Sequence, residues 1–418
     1  MISLKTLPAI VLLGLLATEP ASATNGYFSH GYGVKSQGIA GIGIALPQDG
    51  LAAATNPAGT AFVGERADIG VTLFQPKRGA EIDGNAGPGG SSLNGSYDGN
   101  DTRNFLIPEL GYVKQLNSQW VAGVAVYGNG GMNTDYARNP WGGFGATGAA
   151  GVNFEQLLIS PSIAYKVNDD HALGLAVNLA YQRFAAKGIE LFAGNGASES
   201  PGNFSNQGSD SAMGWGLRIG YTGRLTPELS VGATYATRMK TGKFDKYKGL
   251  FAEQGGFDVP ANYGVGIAWQ ATNALTLAAD VQRIEFGSVK SVGNSLFTGT
   301  QFGSSNGPGF GWRNVSVVKI GASYDVSPEL TLRGGYSHVT QPIPGDEVLL
   351  NILAPGVVQD HVTLGATWKQ GKHGELSFYY SHAFRKTVGG PIPINYGGGI
   401  ASLRLSENSL GIGYGWKY

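Results

Sequence analysis

The chain has 418 residues, of which 68 are glycine and 14% are charged, and its formal net charge is zero. This neutral balance gives no reason to expect a nucleic-acid partner. Charged residues fall well below the roughly 25% typical of soluble domains, so a soluble protein of this length would struggle to cover its surface. The lack of cysteine excludes disulfides, thiol catalysis and thiolate metal sites.

Residues 1–23 have the features of a secretory signal peptide. Lys5 supplies the positive charge, an apolar stretch runs from Leu7 to Ala17, and an Ala-Ser-Ala triplet ending at Ala23 places cleavage before Thr24. The alternative is a membrane anchor, but a spanning helix needs roughly 18 apolar residues. We therefore predict an exported protein.

Residues 24–66 are rich in glycine and alanine and carry few charges. Such a compact segment ahead of regular strands is either a separate appendage or a plug inside a barrel. Its small side chains favour close packing against other backbone, so we predict a plug, or hatch, inside the lumen. Within it, Asn56-Pro57-Ala58 predicts a defined turn, because proline fixes φ and biases the preceding residue away from helix.

From about residue 67 to the C-terminus the sequence alternates with a period of two, which is typical of strands with one apolar and one polar face. For example, Leu330 and Leu332 share one face, and Thr331 and Arg333 share the other. The pattern predicts about fourteen strands, near 67–79, 103–116, 119–128, 154–167, 171–185, 211–224, 228–239, 258–270, 274–286, 313–326, 329–340, 357–369, 374–387 and 402–418.

The connections between these strands alternate between short turns and long loops rich in glycine, serine and asparagine. A soluble sandwich has no reason to keep this asymmetry, whereas outer-membrane barrels of Gram-negative bacteria have short periplasmic turns and long extracellular loops. We therefore predict an all-β fold, a transmembrane antiparallel β-barrel over residues 67–418, surrounded by outer-membrane lipid and lipopolysaccharide. The alternation that ends at Tyr418 resembles the closing-strand signal read by the barrel-assembly machinery.

Several stretches together resemble the FadL-type long-chain fatty-acid transporters, a family that includes aromatic-hydrocarbon porins. They are Ser36–Ala45, Leu51–Gly59, Tyr235–Lys240, Val259-Pro260, Lys319–Tyr324, Leu330–Ser337 and Gln341–Ile343. The resemblance covers essentially the whole mature chain. It implies a fourteen-stranded barrel with a hatch, and passive uptake of a hydrophobic small molecule that leaves through a gap in the barrel wall. A long-chain fatty acid is the first expected ligand, and a toluene-type hydrocarbon is the alternative.

The resemblance also implies which residues contact the ligand. Two loops of the family form a surface groove, and the mature N-terminus lines the ligand pocket. Local packing of long loops is the other interpretation of the loop residues. The corresponding candidates here are Ile189, Leu191, Phe192, Leu250 and Phe251 in the loops, and Tyr27 and Phe28 at the N-terminus.

Two further sets of candidates concern charge and wall geometry. A fatty-acid carboxylate would need a buried cation. The alternation directs Arg218 and Arg333 into the lumen, where they could bind it. The alternative is that both arginines belong to an internal salt-bridge network. Gly128, Gly130 and Gly131 lie at the end of the predicted third strand. The resemblance implies a lateral opening of the wall at a kink in this strand, and glycine in a strand is typical of such a bend. The alternative is that these glycines begin a flexible loop.

Enzymatic functions find no support in the sequence. The six histidines are dispersed, none at metal-ligand spacing, and no Ser/His constellation stands out. We expect no catalytic residues, no metal, no cofactor and a monomer. A general porin for polar solutes and a surface adhesin on a barrel scaffold are the alternative functions, although a porin should lack the plug.

Overall fold

The computed structural model describes residues 25–418, so the predicted signal peptide lies outside the described residues. Sixteen strands in this part of the chain form one sheet whose first and last members pair, which closes the sheet into a barrel. Two of them, β2 (Gly95–Asp98) and β9 (Lys240–Thr241), are short additions to the wall. The other fourteen build the wall and confirm the predicted antiparallel barrel: β1 (Arg66–Asp83), β3 (Phe105–Gln115), β4 (Trp120–Tyr136), β5 (Ala150–Lys166), β6 (His171–Lys187), β7 (Asp210–Thr226), β8 (Leu229–Ala236), β10 (Asn262–Gln270), β11 (Leu275–Ile284), β12 (Val315–Asp325), β13 (Leu330–Val339), β14 (Asp360–Gln370), β15 (Gly374–Pro391) and β16 (Ile400–Lys417).

Helices are confined to one or two turns in the N-terminal segment and the loops. The α-helical turns are α1 (Val34–Gln37), α2 (Ala52–Thr55), α3 (Ala252–Gly255), α4 (Lys290–Gly293) and α5 (Val348–Asn351). The 3₁₀ turns are Pro57–Phe62, Pro88–Gly90, Gly142–Phe144, Glu190–Ala193, Pro201–Asn203, Asp245–Tyr247, Phe286–Ser288, Gly345–Glu347 and Ile394–Tyr396. Within residues 25–418, no helix is long and apolar enough to cross a membrane.

The strands present apolar side chains outward and small or polar side chains inward. On β6, Leu173, Leu175 and Leu179 are exposed, whereas Asn178 and Gln182 on the other face are completely buried. This is the reverse of a soluble protein and is what a wall in contact with lipid requires. Short turns join the strands at one end, the turn end, and long loops join them at the other, the loop end.

The loop between β13 and β14, residues 340–359, folds into the mouth of the barrel, and we call it the inward loop. Its apolar residues are buried, and two side chains of β4 hold its backbone. The hydroxyl of Thr134 donates to the carbonyl of Leu353 (2.7 Å), and that of Tyr136 donates to the carbonyl of Ile352 (2.8 Å). The inward loop therefore covers the lumen from the loop end.

Residues 25–65, the N-terminal segment, lie inside the barrel. Hydrogen bonds join the segment to inward-facing side chains of strands on all sides of the wall, among them Asp68 of β1, Thr222 of β7, Asp280 of β11 and Thr363 of β14. A segment of this length can reach strands so far apart around the barrel only from within.

Candidate functional site

Backbone N–H groups of the N-terminal segment donate to carboxylates that project inward from the wall. Gly33 donates to Glu109 of β3 at 3.0 Å. Gly43 and Ile44 both donate to one carboxylate oxygen of Asp280, at 2.9 and 3.1 Å. These hydrogen bonds lie inside the barrel, where an unpaired backbone N–H is costly, so they fix the segment against the wall.

The Asn56-Pro57-Ala58 triplet joins the segment to β7. The side-chain amide of Asn56 donates to the carbonyls of Ile44 (2.8 Å) and Tyr221 (2.9 Å). Its oxygen accepts the N–H of Ala58 (3.1 Å), and Pro57 opens the following 3₁₀ turn. Asn56 is therefore both the N-cap of that turn and a link to the wall.

A network of charges closes the turn end around Glu375. Its carboxylate pairs with Lys35 of α1, with Arg66 of β1 at 2.9 Å, and with Lys417 of β16. Arg66 also makes a two-bond pair with Asp68, with both contacts at 2.7 Å. Because Lys35, Arg66 and Glu375 are buried, removal of one partner would leave an uncompensated charge, which is strongly destabilising.

We expect the attachment of the N-terminal segment to depend on pH through Asp49. Burial and then the like charge of Asp68 raise the pKa of Asp49 from 3.8 to about 6. The attached state therefore binds a proton more tightly than the released state, and attachment should strengthen as pH falls from about 6 to about 4. Asp49→Asn should remove this dependence and stabilise the protein at pH 7 by up to roughly 3 kcal/mol.

Thermal unfolding of the detergent-solubilised protein at pH 5 and pH 7 measures this effect. Asp169→Asn, at an exposed turn position, is the matched control. The same pH dependence in Asp49→Asn and in the unaltered protein would contradict the assignment.

The wall is interrupted between β3 and β4. The two strands pair only from Leu110↔Val126 to Gln115↔Val121. Toward the loop end, β3 continues to Phe105 but pairs only with β1. β4 continues to Tyr136 and forms a ladder with β5, with isolated bridges from Gly130 to Phe28 and from Asp135 to Asn100. Ladder hydrogen bonds between the two neighbours are therefore missing from the loop half of the wall, and we call this region the lateral gap.

The glycine cluster predicted to end the third strand lies inside β4 and forms a β-bulge, not the start of a loop. Asn129 is the extra residue, and Gly130 has φ of +144°. A Cβ on Gly130 would lie 1.7 Å from the carbonyl oxygen of Tyr27. That same oxygen accepts the N–H of Gly131 at 2.9 Å, and Ser29 donates to Asn129 at 2.8 Å. Glycine is thus needed where the start of the N-terminal segment meets the bulge.

The two N-terminal aromatic candidates lie in a cluster of rings. Tyr27 is completely buried, with ring centroids of Phe154, Phe286 and Trp312 at 5.6, 4.9 and 6.0 Å. Phe28 contacts the same Phe286 ring at 5.5 Å. The Tyr27 hydroxyl has no hydrogen-bond partner within residues 25–418. The cluster is therefore an apolar floor beneath the inward loop, with one unused polar group.

An apolar cavity lies above this floor, beside the bulge of β4. Its lining is mostly apolar and includes Phe74, Met132, Trp312, Ala354, Pro355 and Leu405, with Arg78, Asn133 and Glu407 as polar members. The space open to the centre of a water molecule is only about 30 Å³. A cavity of about 150 Å³ is known to hold benzene, so binding of a ring here requires the inward loop or Trp312 to move.

A larger polar recess of about 450 Å³ adjoins the apolar cavity toward the loop end. Asp135, Arg183 and Lys187 line the recess, and Asn133 lines both spaces. A guanidinium nitrogen of Arg78 contacts Asn133 at this boundary. We call the recess the vestibule; the side chains of Arg78 and Asn133 lie between it and the apolar cavity.

The apolar residues predicted for a surface groove are mostly buried. Ile189, Phe192, Leu250 and Phe251 are at most 5% exposed, and only Leu191 is partly accessible. They belong to the core that unites the two loops, because long loops with apolar side chains bury them against each other. No exposed groove is formed by these four side chains in this conformation, and a role in ligand capture stays a prediction.

The two predicted cation anchors both hold the N-terminal segment. Arg218 donates to the carbonyl of Thr55 (3.1 Å), and Arg333 donates to the side chain of Gln48 (2.8 Å). Arg218 also lines a small polar cavity next to Phe28, and its Nε has no partner among the described residues. Neither arginine lines the apolar cavity.

Three residues of the cavity were not anticipated from the sequence. Trp312 lies in a predicted loop, and Arg78 and Glu407 lie on the inward faces of strands that pair with each other. The period-two pattern directs both charges inward, but it cannot show that β1 and β16 are neighbours until the barrel closes. Within residues 25–418, no group of three or more His, Asp or Glu side chains is placed to hold a metal ion.

Comparison with known proteins identifies the family. Residues 18–391 match the family described as outer membrane protein transport protein (OMPP1/FadL/TodX). The chain belongs to this family. It is therefore an outer-membrane β-barrel of a family of channels for hydrophobic compounds, not of enzymes, and its turn end faces the periplasm. A search of the curated proteins found no match.

Solved structures of FadL-type channels share the fold. The toluene transporter TodX of Pseudomonas putida superimposes with a TM-score of 0.70 at 18% identity, covering 94% of this chain and 100% of that one. A Pseudomonas aeruginosa FadL homologue gives 0.70 at 18% identity, with coverage of 94% and 99%. The toluene transporter TbuX of Ralstonia pickettii gives 0.64 at 21% identity, with coverage of 93% and 99%.

Proposed function

We propose that this channel takes up small, neutral hydrophobic compounds by passive diffusion and releases them sideways through the lateral gap. The observation that carries the proposal is the position of the apolar cavity, which is lined by Gly131, Met132 and Asn133 from the stretch of β4 that does not pair with β3. In this proposal the ligand passes from the vestibule to the apolar cavity and then through the wall between β3 and β4.

The contents of the lumen support a lateral route. The N-terminal segment is fastened to the wall by the bonds of Asp280, Glu109 and Asn56, so a straight path to the periplasm is filled by backbone. A hydrophobic compound also gains nothing by passing through this polar contact zone, because its favourable transfer is into lipid. We propose that the segment acts as the hatch of the channel and that its junction with the bulge at Tyr27 controls the gap.

The charges around the apolar cavity favour a neutral ligand over a long-chain fatty acid. Glu407 lines the cavity and would compete with a carboxylate ligand for Arg78, and both terminal nitrogens of Arg78 already bind protein acceptors, which leaves Nε. Two of the structural neighbours, TodX and TbuX, are toluene transporters, which is consistent with a small aromatic ligand.

A fatty acid is the second candidate, and one observation favours it. The unpartnered Nε of Arg218 lies in the small polar cavity that Phe28 and Lys319 also line, inside the lumen. A carboxylate placed there would be neutralised by two cations while its alkyl chain ran toward the aromatic floor.

Native mass spectrometry of the purified protein, after exposure to toluene and to a long-chain fatty acid, tests these alternatives. We expect retention of toluene, and toluene uptake into liposomes that contain the protein. Retention of the fatty acid alone would favour the Arg218 site. Binding of neither compound, together with swelling of the liposomes in sugars, would overturn hydrophobic transport in favour of a general porin.

A further inference from the structure

The apolar cavity holds a carboxylate that no described residue satisfies. Glu407 is 2% exposed, and neither of its oxygens accepts a hydrogen bond within residues 25–418. In the β1–β16 ladder it lies opposite Pro76, which has no N–H and no side-chain donor. Buried acceptors without donors are rare in native proteins because they are costly, so a carboxylate kept in this position indicates a use.

Arg78 provides the complementary donor in the same cavity. Its two terminal nitrogens are occupied, one by the carbonyl of Pro76 at 3.2 Å and the other by the carbonyl of Thr102 at 2.5 Å and by Asn133. These bonds hold the guanidinium in place at the boundary with the vestibule. Its Nε has no acceptor among the described residues, although it is buried.

We propose that the apolar cavity selects hydrophobic compounds that carry one hydroxyl group, such as alkylphenols or alcohols. The hydroxyl of the ligand donates to Glu407, and its oxygen accepts the Nε–H of Arg78. The hydrocarbon part packs against Phe74, Met132 and Trp312. This inference rests on the proposed function, because it assumes that the apolar cavity is on the transport path.

The selection follows from what each ligand class leaves unpaired. A pure hydrocarbon leaves both the carboxylate and Nε without partners, and sites built to bind a hydroxyl discriminate strongly against analogues that lack it. A carboxylate ligand has no hydrogen to donate to Glu407 and would bring its charge into a mostly apolar cavity. A hydroxyl group offers one donor and one acceptor, which is the pair that these two side chains lack.

Two compounds of nearly the same shape provide the test. p-Cresol and p-xylene differ by a hydroxyl in place of a methyl group, and their binding to the purified full-length protein can be followed by calorimetry. We expect p-cresol to bind roughly ten- to a hundredfold more tightly than p-xylene, as for a hydrogen bond to a charged group. Uptake of both compounds into liposomes containing the protein is measured in parallel.

The decisive variant combines Arg78→Met with Glu407→Leu, which removes both polar side chains together and leaves neither buried without the other. We expect the preference for p-cresol to disappear while p-xylene still binds and enters the liposomes. Glu81→Leu, at an exposed position of β1, is the matched control and should keep the preference. If circular dichroism shows that the double variant does not fold, Glu407→Gln replaces it and should lower the ratio several-fold.

The outcomes separate this inference from the proposed function. Equal binding of the two compounds by the unaltered protein, or an unchanged ratio in the variant, overturns the hydroxyl selection. The proposed function stands in that case provided that p-xylene enters the liposomes. Uptake of neither compound above the level of protein-free liposomes overturns the proposed function as well.

Discussion

Oxidation of a cysteine pair introduced as Ile107→Cys and Gly128→Cys is expected to reduce transport of a hydrophobic compound by at least about tenfold, and a reducing agent is expected to restore it. The two positions face each other across the lateral gap. A Cβ on Gly128 would lie 2.8 Å from Cγ2 of Ile107. Cγ2 of Ile107 is one C–C bond, about 1.5 Å, from its own Cβ, so the two Cβ atoms are at most about 4.3 Å apart. Disulfides need Cβ atoms that are about 3.5–4.5 Å apart.

The physical reason is that a disulfide fixes the separation of β3 and β4 where no ladder bonds do so. Passage of a ring between the strands requires them to part by several ångströms, which the covalent bond prevents. The chain has no native cysteine, so no other disulfide can form within it. Uptake into liposomes is the measurement, before and after reduction.

The two single-cysteine variants control for the loss of Ile107 and for the side chain added at Gly128. Both should transport at a rate insensitive to oxidation. Full transport by the oxidised pair, with the disulfide verified by mass spectrometry, would show that the ligand leaves by another route.

Asn56→Ala is expected to weaken the attachment of the N-terminal segment to the wall by about 2–4 kcal/mol of free energy and to increase the ion conductance of the barrel. The side-chain amide of Asn56 donates to Ile44, Tyr221 and Thr222 and accepts from Ala58. Alanine leaves these groups inside the barrel without their partner, and each buried unsatisfied group costs roughly 1–3 kcal/mol. The truncated side chain also leaves a void.

Hydrogen exchange measures the loosening directly, because backbone amides of the N-terminal segment that bind the wall, such as those of Gly43 and Ile44, should lose protection. Ion conductance in planar bilayers should rise as the lumen opens. Asn273→Ala, at an exposed turn, is the matched control and should change neither. Unchanged protection of these amides in Asn56→Ala would show that the triplet shapes its own turn without fastening the segment.

Most of the architecture follows from local pattern. Alternation with a period of two, as at Leu330–Arg333, fixes which side chains face lipid, and the difference between short turns and long loops fixes the orientation of the strands. Both are properties of neighbouring residues, so they can be derived before any tertiary contact is known. The same patterns located most strands to within a few residues.

The end of the third wall strand was predicted wrongly. The glycines after Tyr127 were expected to end it near residue 128, whereas β4 continues to Tyr136 through a bulge. Glycine has weak strand propensity, and its tolerance of positive φ is used here by a contact from Tyr27, about a hundred residues earlier in the chain. The residues around Gly130 give no indication of a contact with a residue so distant in the sequence.

The sequence by itself determined the barrel, its family and the inward direction of its charges. Only the tertiary structure decided what those charges do. Arg218 and Arg333 are bound to the N-terminal segment, whereas Arg78 and Glu407 meet in the apolar cavity because closure of the barrel joins β1 to β16. The physical reason is that alternation determines only the face of the strand on which a side chain lies. The partner of that side chain is whichever residue of another strand, a loop or the plug lies opposite, and this depends on how the sheet closes.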